Sequence, residues 1–383
     1  MLHFSPEEFD DRKTRLLAEM AERKLDAMLL FAQESMYWLT GYDTFGFCFF
    51  QCLVVKADGE MRLMTRSADL RQARLTSNLS SIVLWRDRGG ADPTIDLRDL
   101  LDDMGLLGAK IGVEWATHGL TASNGRLVET KLGSFASLKD ASDLIPGLRV
   151  IKSPAEIAYV REAARLGDDA FEAALAVTRA GADEADILHA LQGTILRGGG
   201  DYPANPFIIG SGEEALLCRY KAGRRKLSAD DQLTLEWAGV KAQYHAALMR
   251  TVVIGAPTAR HLELFEAARE ALAAVEEVMR PGHSFGEVFD AHAGVMEAHE
   301  LVRHRLSACG YSLGARYAPS WMDPQMFVSG NADPILPNMT LFAHMIIMDS
   351  DTNTAMTLGR TYLTTDGAPE PLSRLPIELT IVS

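Results

Sequence analysis

Residues 233–255 read LTLEWAGVKAQYHAALMRTVVIG and consist of two largely apolar runs. They predict a pair of neighbouring strands at about 232–238 and 243–254, because each run is rich in residues that favour strands. Glu236 interrupts the first run between Leu235 and Trp237, where a buried carboxylate needs a partner. The strand pair therefore predicts both the middle of a sheet and a charged group inside it.

Helical signals flank this strand pair on both sides. Ser153-Pro154-Ala155-Glu156 is a capping box with proline in the first turn, and it predicts a long helix to about Ala180. A second helix is expected at about 183–197, two more at about 258–280 and 284–301, and further strands at about 340–348 and 355–365. This order, helices then strands and again helices then strands, suggests two similar halves around one site.

Residues 1–152 alternate helix and strand signals and predict a separate α/β domain. Ser5-Pro6-Glu7-Glu8 starts a helix to about Lys24, residues 26–31 form a short apolar strand, and Asp58-Gly59 is a hairpin turn. A chain of 383 residues is longer than one compact core usually accommodates. We therefore expect two domains, 1–152 and 153–383, the second of the α+β class.

Composition excludes several classes of partner. The net charge of -14 argues against nucleic acid and anionic membranes, since both require a basic surface. The sequence contains no apolar run of the length that a membrane helix needs and no signal-peptide core at its start. The four cysteines show no CxxC spacing and are expected to be reduced thiols in a cytoplasmic protein.

Several stretches resemble the creatinase/prolidase/methionine-aminopeptidase superfamily. They are IKSPAEIAYVREAARLGDDAFEAAL, GGDYPANPFIIGSG, the strand pair quoted above, GYSLGARYAPSWMD, LPNMTLFAHM and GRTYLTTDG. The resemblance covers nearly the whole chain and rests on the order and spacing of these stretches. It implies a creatinase-type α/β N-terminal domain (residues 1–152) followed by a pita-bread (creatinase/aminopeptidase) catalytic domain of the α+β class (residues 153–383).

The resemblance also implies that the family's metal ligands are lost. Metallopeptidase members hold two metal ions with two Asp, one His and two Glu, a set suited to Mn, Co or Zn. The matching positions here are Glu236, Ala247, Tyr311, His344 and Gly359. Alanine and glycine offer no ligand, and neutral tyrosine is a poor one. We therefore expect no bound metal and no cofactor.

Two metal-free hydrolase types share this fold. Creatinase has its catalytic histidine at the position of Arg219 and substrate-binding glutamates near Met249 and Gly359, so creatine is an unexpected substrate here. The ectoine hydrolase family is more similar, through Gly199 to Ala204 (GGDYPA), Glu236 to Gly239 (EWAG), Tyr244-His245, Arg250-Thr251 and Tyr311 through Trp321. This chain departs from that family at Arg219, where the family has a histidine, and near Thr357, where it has a glutamate.

The polar candidates each have a functional and a structural interpretation. Glu236 would bind a cationic or amidine nitrogen or orient water, or else form a structural salt bridge with Arg250. His344 and His245 are acid/base candidates, or histidines of an apolar core. Arg219, in the basic run Cys218-Arg219-Tyr220-Lys221, suits a substrate carboxylate, and Cys218 could be a nucleophile or a small buried thiol.

The aromatic candidates have similar alternatives. Tyr311, Trp321 and Asp323 could enclose a small cationic ring, although core packing is equally plausible for Trp321. Residues 37–50, with Phe45 among them, are unusually aromatic, and in the relatives this segment reaches the active site of the partner subunit. The resemblance therefore implies a homodimer, while ordinary core strands with a turn remain the alternative for this segment.

These observations favour metal-independent hydrolysis of a C–N bond in a small amidine, amide or cyclic nitrogen compound. Glu236 would hold the substrate nitrogen, Arg219 a substrate carboxylate, and His344 or His245 would move the proton; Arg250 and Phe45 complete the expected pocket. Two alternatives stay open, an Xaa-Pro dipeptidase-like metallopeptidase and a binding protein that retains the pocket without catalysis.

Overall fold

The computed structural model describes residues 2–219 and 224–383, so Tyr220 and Lys221 of the basic run lie outside the described residues. The contacts divide the chain into two compact units, Met1–Arg149 and Val150–Ser383. The division falls three residues before the domain boundary expected from the capping box at Ser153. Each unit has its own sheet and its own apolar core.

The N-terminal unit is an α/β layer structure, as predicted. Its six strands are ordered β4-β3-β2-β1-β5-β6, with two apolar clusters packed on the sheet. The predicted first helix, first strand and hairpin are all present. The elements are α1 Pro6–Glu22, β1 Ala27–Leu30, α2 Gln33–Thr40, β2 Cys52–Lys56, β3 Met61–Arg66, α3 Leu70–Thr76, β4 Ile82–Trp85, α4 Pro93–Asp103, β5 Lys110–Val113, α5 Ala122–Leu132, β6 Ser137–Asp140 and α6 Leu144–Arg149.

The aromatic segment begins as a helix and not as a core strand. The buried carboxylate of Glu114 accepts hydrogen bonds from the backbone amides of Phe31 and Ala32 at 3.0 Å each, and from the Ser35 hydroxyl at 2.6 Å. The Glu114 carboxylate thereby gives hydrogen-bond partners to backbone N–H groups at the start of α2, which would otherwise be buried without any. Tyr37 and Trp38 on α2 are fully buried. The alternative of strands with a turn was therefore wrong for the first half of the segment.

The C-terminal unit is built on a nine-stranded sheet. Seven strands follow the order β11-β10-β12-β13-β9-β8-β7, while β14 pairs with β13 and β15 pairs with β9. The predicted helices and long strands are present, although α7 ends five residues before Ala180. The elements are α7 Pro154–Leu175, α8 Glu184–Arg197, β7 Ile208–Ser211, β8 Asp231–Lys241, β9 Tyr244–Ile254, α9 Ala259–Val278, α10 Phe285–Ala298, β10 Gly310–Leu313, β11 Met322–Met326, β12 Thr340–Asp349, β13 Thr354–Leu363, β14 Glu370–Pro371 and β15 Thr380–Val382.

The two faces of this sheet have different roles. Trp237 on β8 stacks on Phe171 of α7 with ring centroids 4.9 Å apart, and its indole nitrogen donates to the Gly167 carbonyl at 2.8 Å. Gly239, two residues on, allows this approach, since a Cβ there would lie 1.8 Å from the Ala163 carbonyl oxygen. We call this side the helix face. Because side chains alternate along a strand, Glu236 points to the opposite side, here called the site face.

Candidate active site

The site face contains one continuous row of four residues on four neighbouring strands. Glu236 on β8 pairs with Met249 on β9, Met249 pairs with Gly359 on β13, and Gly359 pairs with His344 on β12. Residues directly opposite one another in antiparallel strands project to the same face. The sheet register therefore places the two polar candidates, Glu236 and His344, at the ends of a row whose centre is apolar.

Glu236 is a carboxylate in a nearly dry environment. Its side chain is 8% exposed, and burial raises its pKa to about 7. The positive charge of Arg219 and a hydrogen bond with Tyr311 act in the opposite direction and lower the pKa. A carboxyl group that titrates near neutral pH is suited to proton transfer in both directions.

Tyr311 lies between the two ends of the row. Its ring centroid is 5.6 Å from that of His344, and its hydroxyl interacts with Glu236. Its hydroxyl oxygen also accepts a hydrogen bond of 2.9 Å from the indole nitrogen of Trp321. Trp321 is 1% exposed, so it packs behind Tyr311 and does not form one wall of an open aromatic box.

His344 is a neutral imidazole in an apolar setting. Burial is the largest of the causes that lower its pKa to about 3, and the nearby His292 and Arg219 act in the same direction. Its ring centroid lies 5.4 Å from that of Phe342, and among the described residues its buried Nδ1 atom has no hydrogen-bond partner. His344 therefore offers a polar atom to a ligand, while the charged imidazolium form is disfavoured at working pH.

His245 has a different environment from the one expected of an acid/base residue. It is fully buried, and its Nε2 atom accepts a hydrogen bond of 3.0 Å from the backbone amide of Ala204. Burial lowers its pKa to about 4. Because the Nε2 lone pair is already engaged, the geometry favours a role in holding the loop before β7 over proton transfer to a substrate.

Arg219 and Cys218 lie beside Glu236 at the end of the described chain before residue 220. Arg219 is exposed, yet its charge acts on Glu236, Tyr311 and His344, so it borders the same space. Burial and the Glu236 charge raise the pKa of Cys218. A raised pKa disfavours the thiolate, which argues against the nucleophile interpretation of Cys218.

Arg250 and Asp323 do not join this group. Arg250 pairs with Leu235, which projects to the helix face, and its Nη1 donates to the carbonyls of Met249 at 2.8 Å and Gly359 at 2.6 Å. The structural salt bridge with Glu236 is therefore wrong, and so is a place for Arg250 on the site face. Asp323 is 3% exposed and bonds to Arg316 at 3.4 Å, which leaves it buried with a cation of the protein itself.

Phe45 belongs to the N-terminal unit. It is 81% exposed, next to the short helical turn Gly46–Cys48, and Phe49 after that turn is 47% exposed. Only this second half of the aromatic segment presents apolar side chains at the surface. Its expected role beside a partner subunit's site stays a prediction.

Two known protein families match this chain. Residues 158–366 match the metallopeptidase family M24, and residues 12–151 match the creatinase/prolidase N-terminal domain. The chain belongs to metallopeptidase family M24. The resemblance deduced from the sequence motifs is thereby confirmed, as is the fold of an α/β N-terminal domain with a pita-bread catalytic domain.

The chain is similar to several hydrolases. A hydrolase/peptidase from Sinorhizobium fredii is 28% identical over 392 residues, covering 100% of this chain and 99% of that protein. The ectoine hydrolase of Halomonas elongata is 27% identical over 356 residues, covering 88% of this chain and 89% of that protein. The crystal structure of dipeptidase PepE from Mycobacterium ulcerans superposes with a TM-score of 0.86 at 21% identity, covering 99% of each chain, which supports the fold alone.

Among the described residues, none of the helices has both the length and the apolar character needed to cross a membrane.

The donor set of this M24 member does not fit the two metal ions that the family name implies. Ala247 and Gly359 provide no ligand atom, and the space beside Gly359 is filled. A Cβ atom there would lie 2.8 Å from Cζ of Phe342 and 2.9 Å from Cβ of Met249. Apolar atoms therefore occupy the middle of the row, where a metal pair would require oxygen or nitrogen donors.

Another group of ligand-type side chains lies elsewhere in the described part of the chain. The ligand atoms of His304, Asp349 and Asp351 lie close enough together to hold an ion. However, Arg260 pairs with Asp349 at 2.7 Å and Arg303 pairs with Asp351. These arginines already balance the carboxylates, so the group is adequately explained as an ion-pair network.

The sequence reasoning missed Phe342 and two hydroxyl contacts on the site face. Phe342 lies two residues before His344 on β12, and alternation alone would have placed it on the same face. Thr251 and Thr357, one row along, share a hydrogen bond of 3.1 Å between their hydroxyls. The Thr361 hydroxyl donates to the Ala247 carbonyl at 2.7 Å, which joins β13 to β9 at a position that the sequence motifs match to a family metal ligand.

Proposed function

We propose that this protein hydrolyses a C–N bond in a small amidine, amide or cyclic nitrogen compound that carries a carboxylate, and that it does so without a metal ion. The observation that carries the proposal is Glu236, a buried carboxylate with a pKa of about 7, at one end of a row whose centre is apolar. An enzyme at neutral pH needs a group that can accept and release protons, and Glu236 meets this requirement.

Glu236 acts as the proton-transfer residue in this proposal. Its carboxylate takes a proton from water, whose oxygen forms the new bond to the substrate carbon. The C–N bond then breaks, and the proton passes to the leaving nitrogen. Arg219 binds the substrate carboxylate through its planar guanidinium group, and the neutral His344 contributes a hydrogen bond to a polar substrate atom.

The assignment of proton transfer to Glu236 changes the roles inferred from the motifs. His344 and His245 have pKa values lowered to about 3 and about 4, so neither gains a proton readily near neutral pH. Glu236, whose pKa is about 7, is better matched to that range. The ectoine hydrolase of Halomonas elongata, which aligns with 88% of this chain, supports a small nitrogen compound as substrate.

The dipeptidase alternative depends on two metal ions, for which Ala247 and Gly359 provide no ligand.

We also propose a homodimer in which the exposed Phe45 and Phe49 contact the partner, because two exposed aromatic side chains on one short segment are typical of an interface.

A substrate screen with metal analysis tests the proposal. Ectoine, other compact cyclic amidines with a carboxylate, short amides and Xaa-Pro dipeptides are incubated with the purified protein, with and without a chelator. We expect turnover of an amidine or amide that the chelator does not reduce, loss of that turnover in Glu236→Gln, and less than one metal ion per chain by elemental analysis. Chelator-sensitive cleavage of dipeptides by a protein with stoichiometric Mn, Co or Zn would establish the alternative. Binding of a compound without turnover would identify a non-catalytic homologue.

A further inference from the structure

Two arginines lie close together on the helix face of the nine-stranded sheet, opposite to the site face. Arg250 on β9 pairs with Leu358 on β13, and the two strands are antiparallel. Arg360 follows Leu358 by two residues, so alternation places it on the same face as Arg250. Diagonal neighbours in an antiparallel pair lie about 7–8 Å apart, which is within reach of long side chains. We call Arg250 and Arg360 the arginine pair.

Arg250 is buried and has an unused hydrogen-bond donor. It is 2% exposed, and its Nη1 atom donates to the carbonyl oxygens of Met249 at 2.8 Å and Gly359 at 2.6 Å. The second of these bonds holds its guanidinium group against the backbone immediately before Arg360. Its Nη2 atom is buried and has no hydrogen-bond partner among the described residues. A buried charged group with an unpaired N–H is unfavourable, so Nη2 is suited to an acceptor that the chain itself does not supply.

Arg360 adds a second unused donor. Its Nη2 atom donates to the Leu375 carbonyl oxygen at 2.7 Å, whereas its buried Nε atom has no partner in the part of the chain that the structure describes. Burial, and after it the charge of Arg360, lowers the pKa of Arg250 to about 10, so the two cations repel each other. Arg360 as a whole is only partly buried, so the region that the arginine pair shares lies near the surface, and a small ion can reach it from solvent.

The acidic groups near the arginine pair are engaged with other partners. Asp168 on α7 accepts hydrogen bonds from the Ser373 hydroxyl at 2.5 Å and the Arg374 backbone amide at 2.9 Å, and it forms an ion pair with the Arg374 side chain at 3.6 Å. Glu276 on α9 accepts a hydrogen bond from the Tyr362 hydroxyl at 2.5 Å. Within the described residues, neither carboxylate forms an ion pair with a member of the arginine pair. The two positive charges therefore have no direct counterion in this part of the protein.

We propose that the arginine pair binds a monovalent anion of the size of chloride, which accepts hydrogen bonds from Nη2 of Arg250 and Nε of Arg360. One negative charge between the two guanidinium groups reduces their repulsion and gives both buried donors a partner. The ion joins β9 and β13 on the face opposite to Glu236. The inference therefore goes beyond the proposed function and does not depend on it.

The arrangement of the donors favours a single spherical ion over an oxyanion. A carboxylate or phosphate is bound best by two parallel N–H groups of one guanidinium. In Arg360, the Nη2 atom already binds the Leu375 carbonyl, and in Arg250 the Nη1 atom binds two carbonyls. The two unused buried donors therefore come one from each side chain, and they suit an acceptor that can be approached from any direction.

Thermal unfolding in two salts tests this anion site. The purified protein is melted in sodium chloride and in sodium gluconate of equal ionic strength, so that general screening of charges is the same in both. The midpoint should be about 2–4 °C higher in chloride and should level off only slowly as chloride is added, as expected for a ligand that binds the folded state alone. Arg360→Met retains an unbranched apolar stem but removes the guanidinium group, so this variant should lose the difference between the two salts.

Arg179→Met is the matched control. Arg179 is an exposed arginine of the same unit, and this variant should keep the full difference between chloride and gluconate. Equal wild-type midpoints in the two salts would overturn the proposal, because water would then be the partner of the two donors. An undiminished difference in Arg360→Met would overturn it as well, since the effect of chloride would arise elsewhere on the protein.

Crystals soaked in sodium bromide provide a second measurement, which decides the question if Arg360→Met does not fold. Bromide is an anomalously scattering substitute for chloride, and its peak should lie beside Nη2 of Arg250 and Nε of Arg360. The absence of a peak there would contradict the proposal. A peak there with equal melting midpoints in chloride and gluconate would identify an adventitious ion only, which also contradicts it. Neither measurement uses a substrate, so each result is separate from that of the substrate screen.

Discussion

Glu236 and Arg250 occupy adjacent strands but opposite faces of the nine-stranded sheet. Glu236 pairs with Met249, whereas Arg250 pairs with Leu235 and uses its guanidinium group to bind backbone carbonyls. The carboxylate of Glu236 is therefore not neutralised by the arginine nearest to it in the strand pair. The negative charge of the ionised Glu236 can be balanced only by Arg219 or by a bound ligand. Ionising this buried carboxylate therefore costs free energy in the folded protein.

Glu236→Gln tests this cost through pH. The pKa of Glu236 rises from 4.5 to about 7 on folding, so the folded protein holds the proton more tightly than the unfolded chain. In the wild type, Glu236 therefore makes its full contribution to the free energy of unfolding below pH 4.5, where it is protonated in both states. That contribution is lost as the pH rises through about 7. Relative to wild type, the Gln variant should gain up to about 3 kcal/mol between pH 4.5 and pH 8.

Urea unfolding of both proteins at pH 5 and pH 8 measures this gain. The Gln variant should also lose turnover by about 10² to 10⁴-fold, the usual contribution of a general acid/base group. A stability difference that is the same at both pH values would mean that the charge is balanced in the free protein. A fully active Gln variant would remove Glu236 from the mechanism.

Arg219→Lys retains a positive charge but removes the planar fork that matches a carboxylate. For the best substrate from the screen, KM should rise about tenfold with little change in kcat, because the contact is equal in the ground and transition states. Arg224→Lys, an exposed arginine near the other side of residues 220–223, is the matched control and should behave as wild type. Equal kinetics in the two variants would contradict the carboxylate role of Arg219.

The sequence predicted the strand pair and a buried carboxylate, Glu236, within it, because apolar runs and a charged interruption are local signals. It did not predict the face on which Arg250 lies. That face depends on the register between β8 and β9, which is set by a two-residue turn of Ala242 and Gln243 with φ angles of 49° and 66°. Turns of this kind usually contain Asn or Gly, so the sequence carried no clear signal for it.

The roles of the aromatic and histidine candidates depended on side-chain contacts that only the folded chain creates. Trp321 reaches Tyr311 with its indole nitrogen, and the Ala204 amide reaches His245, 41 residues away in sequence. Neither contact follows from spacing or composition. By contrast, alternation along β12 was sufficient to place Phe342 beside His344, and that signal was available in the sequence.

The exposed aromatic residues beside the turn Gly46–Cys48 lead us to expect that substitutions there change the oligomeric state. Phe45 is 81% exposed and Phe49 is 47% exposed, with the Arg66 guanidinium 3.9 Å above the Phe49 ring. Light scattering at micromolar concentration should give the mass of a dimer for wild type, and Phe45→Ser should shift it toward the monomer. Leu107→Ser, which changes an apolar residue of the same unit that is 70% exposed, should leave the mass unchanged. A wild-type monomer would contradict the shared-site interpretation.

Gly359→Ala tests whether packing closes the position of Gly359, which the sequence motifs match to a metal ligand of the family. The added Cβ would meet Phe342 at 2.8 Å and Met249 at 2.9 Å, so we expect a loss of about 1–3 kcal/mol in unfolding free energy, typical of overpacking. Gly294→Ala, in the middle of helix α10 with open space around it, should instead gain about 0.5–1 kcal/mol from helix propensity. Phe342→Leu shortens the ring that blocks the position and should reduce the penalty of Gly359→Ala when the two are combined. If Gly359→Ala is as stable as wild type, the position has room for a side chain and packing does not close it. If the penalty appears and Phe342→Leu relieves it, the apolar packing of Phe342 and Met249 is what closes the centre of the row.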